Sequence, residues 1–300
     1  MTVLALDVGG STIRGLVRDA AGATIATRVV ASSDGDPGLA RLHAVARELR
    51  DVARDAGHSL RAVGAGMPEY VDRGGLLTST DVLQWTEQPL SLLAGIAPVV
   101  AVEADVRCAA MAELAARPET GAIAGGIVVI SVGTGISHTV IHDGALLRGA
   151  RGEAIGLGQL LAGPSRSGEG PTVEDIASGS GLARRYRART GHAVDDGARE
   201  IVRRAKDGDT EAGVVLQEAG DALAYAAWTA VQLLDPHRLV LTGGLGSATS
   251  PLHDRMHNTY ARLARSRPGA ARIEVSALAE RAGIVGAELL ARRALEEESR

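Results

Sequence analysis

Apolar and polar positions alternate in short runs at the start of the chain and then change period. Val3–Leu6 is an apolar run closed by Asp7-Val8-Gly9-Gly10, and Ser11–Val17 resumes a strand pattern. Ala20-Ala21-Gly22 turns into a third strand at Thr24–Val30. Leu39, Leu42, Val45, Leu49 and Val52 then recur at helical spacing, which predicts an amphipathic helix over Gly38–Gly57. Leu60–Gly66 reads as a strand ending at Met67-Pro68, and Val99–Val102 as another. The helix Asp105–Arg117 opens directly after it. This part runs βββαβ…βα, the order of an α/β layer architecture.

The same order restarts after Pro118. Gly126–Val132 is a strand, Gly133-Thr134-Gly135 a turn and Ser137–His142 a second strand, with Asp143-Gly144 forming a tight hairpin into Ala145–Arg148. Two strand units, each with a glycine turn, predict two similar α/β lobes, at 1–117 and 118–300. Gly149–Pro171, rich in Gly, Ser and Pro, reads as loop. Helices are expected at Val173–Ser178, Gly181–Thr190, Ala198–Lys206 and Thr210–Leu234. A strand follows at Arg238–Leu241, and a closing helix at 282–298 is expected to pack back on the N-terminal lobe.

Composition sharpens this picture. The 300 residues allow two buried cores. Aromatic residues make up 2% and Phe is absent, so those cores must be built from Ala, Val, Leu and Ile. Lys206 is the sole lysine, so the many arginines reflect a compositional bias rather than anion recognition. A net charge of −4 argues against a nucleic-acid partner. Cys108 stands alone, which excludes an intramolecular disulfide and a Cys-rich metal site. The apolar runs are too short to span a membrane, and Leu4-Ala5-Leu6 meets Asp7 at once, unlike a signal peptide. No membrane partner and a cytoplasmic setting are the expectation.

Three glycine turns, each at the end of a strand, carry the candidate chemistry. Asp7-Val8-Gly9-Gly10-Ser11-Thr12 can bring backbone N–H groups to a polyphosphate while a carboxylate and hydroxyls attend Mg²⁺. By itself such a turn is also an ordinary hairpin. Ser131–Ser137 is the second turn, and Val240–Gly246, with Gly243-Gly244, the third. None fits the Walker or dinucleotide fingerprint. Asp105, after Glu103-Ala104 at a strand-to-helix junction, can act as a general base or simply cap its helix.

Together these segments resemble the ROK family of sugar kinases, in the actin-like ATPase superfamily with hexokinase and Hsp70. Asp7–Arg14 resembles the family's first phosphate motif; Gly66-Met67-Pro68 with Asp72, and Asp81–Trp85, resemble its next two segments. Glu103–Ala110 resembles its Glu-Asn-Asp-x-Asn stretch, Val132–Ser137 its second phosphate loop, Thr242-Gly243-Gly244 its adenosine motif, and Ala282–Ala287 its C-terminal helix. The resemblance implies an α/β, two-lobed actin-like (ribonuclease H-like) fold with an interdomain cleft. It implies transfer of the γ-phosphoryl group of MgATP to a sugar hydroxyl, usually O6, with Asp105 as base. ATP would be held by Asp7, Gly9, Gly10, Ser11, Thr12, Arg14, Gly133, Thr134, Gly135, Gly243 and Gly244, with Asp7 also serving Mg²⁺. A homodimer is implied in the same way.

Departures from the family concern the sugar. Ala104 stands where the family has Asn. Its Gly-Glu-Ile-Gly-His stretch falls on Ile155–Gln159, so that Gly156 and Gln159 replace Glu and the zinc-ligand His; Glu153 is a rival for the missing carboxylate. The Cys-rich zinc loop is replaced by Pro164–Pro171, without Cys or His, so no zinc is expected. Glu174 keeps the position of a sugar-contacting Glu, and Gly66 belongs to the same sugar-side set. Asp81 replaces Asn, and beside Ala104 it suits a cationic amino group. An aminohexose acceptor such as kanosamine is therefore expected, as in ROK-like kanosamine kinases of antibiotic pathways. A glucokinase or N-acetylhexosamine kinase is the alternative. The non-enzyme alternative is a sugar-binding regulator, although the strand opening at Val3 leaves no room for an N-terminal helix-turn-helix. His138, Arg148 and Arg151 near the loops are assigned no role.

Overall fold

The computed structural model describes residues 1–32, 36, 38–117, 126–163 and 169–299. Its first sheet is centred on β1 (Thr2–Val8), which is buried at every residue. β2 (Thr12–Arg18) and β3 (Thr24–Ala31) extend it antiparallel on one side. β4 (Leu60–Met67) and β5 (Val99–Ala104) add in parallel on the other, giving the order β3-β2-β1-β4-β5. α1 (Ala40–Asp55) buries Leu42, Val45, Ala46, Leu49 and Ala53; of the residues its periodicity sets on that face, Val52 is exposed, and Ala46 and Ala53 join the face instead. α2 (Pro89–Leu93) is too short for periodicity to reveal and goes unread in the sequence. α3 (Asp105–Ala116) starts where β5 ends, with no connecting residue.

The second sheet repeats this plan. β6 (Ile127–Val132), β7 (Ile136–His142) and β8 (Ala145–Leu146) are antiparallel. β9 (Arg238–Thr242) and β10 (Ile273–Val275) continue from β6 in parallel. Read as β8-β7-β6-β9-β10, the order matches the first sheet strand for strand. Asp143 and Gly144 at the β7–β8 hairpin both have positive φ, 49° and 73°, the turn that matches strand twist. α4 (Val173–Ala177), α5 (Gly179–Thr190), α6 (Gly197–Lys206), α7 (Thr210–Leu234) and α8 (Pro251–Leu263) cover this sheet. α8 and β10 lie in a stretch for which the sequence reading proposed no element.

α9 (Ala282–Glu298) packs on β4 and α3 of the first sheet through small residues. A Cβ on Gly64 would overlap the Ala287 carbonyl, and one on Gly286 the Cys108 carbonyl, so the backbones touch. The chain divides into two compact units. One comprises Met1–Pro118, Arg148–Ile155 and Arg281–Arg300; the other comprises Glu119–Leu147 and Gly156–Glu280. Chain order alone assigned Arg148–Ile155 to the 118–300 lobe. The segment belongs to the first unit because side chains of β5 and α3 hold it there, as described below. No helix among the described residues is long and apolar enough to cross a membrane.

Candidate active site

In the first unit, β1, β4 and β5 run parallel, so their carboxyl ends share one edge of the sheet. The register sets Asp7 beside Gly66 and Gly66 beside Glu103 on that edge. Arg14 faces Asp7 from β2, with Nη1 3.4 Å from Oδ2. Asp7 is buried; burial pushes its carboxyl up, and the Arg14 guanidinium opposes the shift. The turn that follows is closed by the Gly9 N–H donating to the Thr12 carbonyl at 2.8 Å and by Ser32 Oγ donating to the Gly9 carbonyl at 2.7 Å. Gly9, Gly10 and Thr12 are half-buried and Ser11 is exposed. A Cβ on Gly283 would stand 2.5 Å from Asp7 Oδ1, so the first turn of α9 abuts the same carboxylate.

Asp105 is the first residue of α3, two positions beyond Glu103 and after the fully buried methyl of Ala104. Its Oδ1 accepts the Val106 N–H at 2.6 Å. Burial pushes the Asp105 carboxyl up to about 7; the charges of Asp7 and Glu69 push the same way, and the Val106 N–H opposes them. A carboxyl that titrates near neutrality can take a proton from a hydroxyl.

Glu69, which the sequence reading passed over, organises the segment that carries Asp81. Its carboxylate accepts the Ser79 hydroxyl and the N–H groups of Asp81, Val82 and Leu83, the last three at 3.0, 2.9 and 2.6 Å. The Asp81 side chain itself is exposed. An acidic residue directly after the strand-ending Gly66-Met67-Pro68 was the available signal. Arg107 was missed as well. It lies in an otherwise apolar helix run, is fully buried, and pairs Glu103 at 2.8 Å. Arg148 pairs the other oxygen of Glu103, Oε2. Glu153, the rival sugar residue, is exposed and pairs Arg151 at 3.0 Å; the Arg151 hydrogen bond holds its carboxyl low.

In the second unit the two remaining glycine turns meet at one carbonyl. The Val132 oxygen accepts the N–H groups of Leu245 and Gly246, both at 3.0 Å. That contact sets the Gly243–Gly246 turn, with Gly243 at φ 83°, beside Gly133–Gly135. Gly133 N–H donates to Gly135 O at 2.9 Å, and the N–H groups of Gly179 and Ser180 at the start of α5 donate to the Gly133 and Thr134 carbonyls. Glu174 on α4 turns its carboxylate to the same loop: Oε2 accepts the Ile136 N–H at 2.6 Å. α4 is fixed by a reciprocal cap between Thr172 and Asp175. Gln159 ends a 3₁₀ turn at Leu157–Gln159 and is exposed, while His138 Nδ1 accepts the Leu157 N–H at 3.2 Å. Of the Pro164–Pro171 loop expected to lack zinc, residues 164–168 lie outside the described residues. Among the described residues no three His, Cys, Asp or Glu side chains group as a metal site.

A model of the ROK family matches residues 3–294. The N-acetylmannosamine kinase of Salmonella newport (strain SL254) is 31% identical over 305 residues, covering 97% of this chain and 98% of that protein. The bifunctional enzyme NanE/NanK of Brucella melitensis is 35% identical over 166 residues, 55% of this chain. The match spans 30% of that longer protein. A solved ROK family glucokinase from Streptomyces griseus, in complex with glucose and AMPPNP, shares the fold with a TM-score of 0.79 at 24% identity. The match covers 98% of this chain and 100% of that one.

Proposed function

Because this chain belongs to the ROK family, we propose that it is a sugar kinase that transfers the γ-phosphoryl group of ATP to O6 of an amino or N-acetylamino hexose, with Asp105 as general base. The observation that carries this reading is Asp105 itself, seated at the carboxyl end of β5 with its carboxyl pushed up to about 7. The sugar hydroxyl gives its proton to an Asp105 oxygen as its own oxygen bonds to the γ-phosphorus. The bond from that phosphorus to the bridging oxygen breaks, and ADP leaves. Positioning and charge compensation supply most of the rate in such a transfer. With the Gly9 and Gly133 N–H groups closing their own turns, the other N–H groups of the Gly9-Gly10 and Gly133–Gly135 turns are suited to phosphate oxygens, and Gly243-Gly244 to the adenosine.

Mg²⁺ fits the residues at hand. It is held by one or two carboxylates together with phosphates and water rather than by an all-protein cage. Asp7, buried with Arg14 at 3.4 Å, would serve it. Bound Mg²⁺ neutralises charge developing on the phosphates.

For the acceptor, the identity to N-acetylmannosamine kinase along nearly the whole chain supports an N-acetylhexosamine. The exposed Asp81 carboxylate, its backbone fixed by Glu69, supports a free amino sugar such as kanosamine as a second reading. Coupled ADP release with N-acetylmannosamine, glucosamine, kanosamine and glucose decides, with the phosphorylated position read by NMR. N-acetylmannosamine is expected to give the highest kcat/KM and kanosamine to lead under the second reading; a preference for glucose overturns both.

A further inference from the structure

We propose that Arg107 is a positioning residue for the acceptor sugar, tying the helix that carries Asp105 to the two segments that carry Asp81 and Glu153. α3 is apolar around it: Val106, Cys108, Ala109, Ala110, Met111 and Ala112 are all buried. A buried guanidinium is costly unless its donors are met. Here Nη1 donates to Glu103 Oε1 at 2.8 Å and to the Val71 carbonyl at 3.1 Å, and Nη2 donates to the Gly152 carbonyl, while the buried Nε has no hydrogen-bond partner among the described residues. Val71 forms a bridge with Leu77 and so begins the excursion that reaches Asp81. Gly152 immediately precedes Glu153.

These two carbonyls are held side by side. Gly152 has φ 84°, and a Cβ on it would overlap the Val71 oxygen and stand 2.9 Å from Asp72 Cα. Two carbonyl dipoles brought to one point need a cation in front of them, and the planar guanidinium supplies it with separate N–H groups. Glu103 completes the arrangement: Oε1 accepts the Ala104 N–H at 2.9 Å as well as Arg107, and Arg148, at the head of the Gly152 segment, pairs Oε2. The cluster therefore joins β5, α3, the Val71 bridge and the Arg148–Ile155 segment within the first unit. Among the described residues, the hydrogen bonds of Arg107 go to Glu103, Val71 and Gly152, none of them proposed for ATP.

The inference rests on the sugar-kinase reading with Asp81 and Glu153 on the acceptor side. It is tested by steady-state kinetics of wild type, Arg107→Lys, Gly152→Ala and the double variant Glu103→Gln/Arg107→Met. Acceptor and ATP are varied separately, and N-acetylmannosamine and kanosamine are the acceptors. Gly152→Ala leaves every charge in place and moves the turn. The double variant removes both buried charges together and avoids a stranded carboxylate. Acceptor KM is expected to rise about tenfold in Gly152→Ala and in the double variant, and less in Arg107→Lys, which keeps the charge but not the fork. ATP KM is expected to stay within about twofold of wild type. A purely structural role would lower the Tm without separating the two KM values. If Gly152→Ala and Arg107→Lys leave acceptor KM unchanged, or raise ATP KM equally, the proposal is overturned, whether or not the double variant folds. Failure of the underlying reading is seen earlier, as absence of ADP release from wild type with any sugar.

Discussion

Gly283 lies against Asp7 so closely that a Cβ at position 283 would stand 2.5 Å from Oδ1 and 2.8 Å from Cγ. The free N–H groups and positive dipole end of a helix favour an anion, and the glycine is what lets α9 approach one this closely. Gly283→Ala must displace either the carboxylate or the helix. If Asp7 serves the nucleotide as proposed, kcat/KM for ATP is expected to fall about tenfold while acceptor KM holds. An ATP titration at saturating acceptor checks this, and an unchanged value would detach Asp7 from nucleotide binding.

Asp105 can act as a base only when ionised. With its carboxyl pushed up to about 7, kcat/KM is expected to rise with pH through that value and to be lost on the acid side. Asp105→Asn keeps an oxygen for the Val106 N–H but cannot take the proton, so turnover should vanish with circular dichroism unchanged. Near-normal turnover in this variant would remove Asp105 from the mechanism.

The same shift has a consequence for stability, of opposite sense to that of an ordinary salt-bridged carboxylate. The folded-state value lies above the ordinary aspartate value of 3.8, so the native protein binds this proton more tightly than the unfolded chain. The stabilising contribution is complete below the unfolded value and is lost as pH rises through about 7. Asn at this position does not titrate. The Tm of Asp105→Asn relative to wild type should therefore be higher at about pH 8 than at about pH 5. Differential scanning fluorimetry of the ligand-free proteins at both pH values reads the difference; a constant offset would mean that the site does not hold Asp105 up.

The elements with a period or a glycine terminus are legible in the sequence alone. β1 to β7, α1 and α7 follow from apolar alternation, helical spacing and turn residues, all of which act over a few neighbours. α8 and β10 were not read. So too with the site. The Asp7–Thr12 turn and Asp105 announce themselves by strand, glycine and acid in sequence. Glu69 and Arg107 act on backbone at Asp81–Leu83 and Gly152, and Gly283 makes room for the Asp7 carboxylate. Which carbonyl or carboxylate a residue meets across 45 or 276 positions depends on the packed sheet, and neither periodicity nor local spacing encodes it. The split of the chain at 117 failed for Arg148–Ile155 for the same reason: chain order does not know that Arg107 and Glu103 hold that segment.

Glu174 separates two roles that the sequence could not. The resemblance to the family implies a sugar contact for it, yet its Oε2 accepts the Ile136 N–H at 2.6 Å, and a Cβ on Gly135 would stand 2.8 Å from that oxygen. A charge-assisted bond to a loop N–H stabilises more than a neutral one, on the order of 1.5–3 kcal/mol. Losing it frees the exit of the Gly133–Gly135 turn. If the carboxylate chiefly shapes that turn, Glu174→Ala raises ATP KM about tenfold or more, and Glu174→Gln, which keeps an accepting oxygen, restores most of the loss. If it chiefly grips the sugar, both variants raise acceptor KM and leave ATP KM alone. The close fit of Oε2 into the Gly135 position favours the first outcome, and separate titrations of ATP and N-acetylmannosamine against the two variants distinguish them.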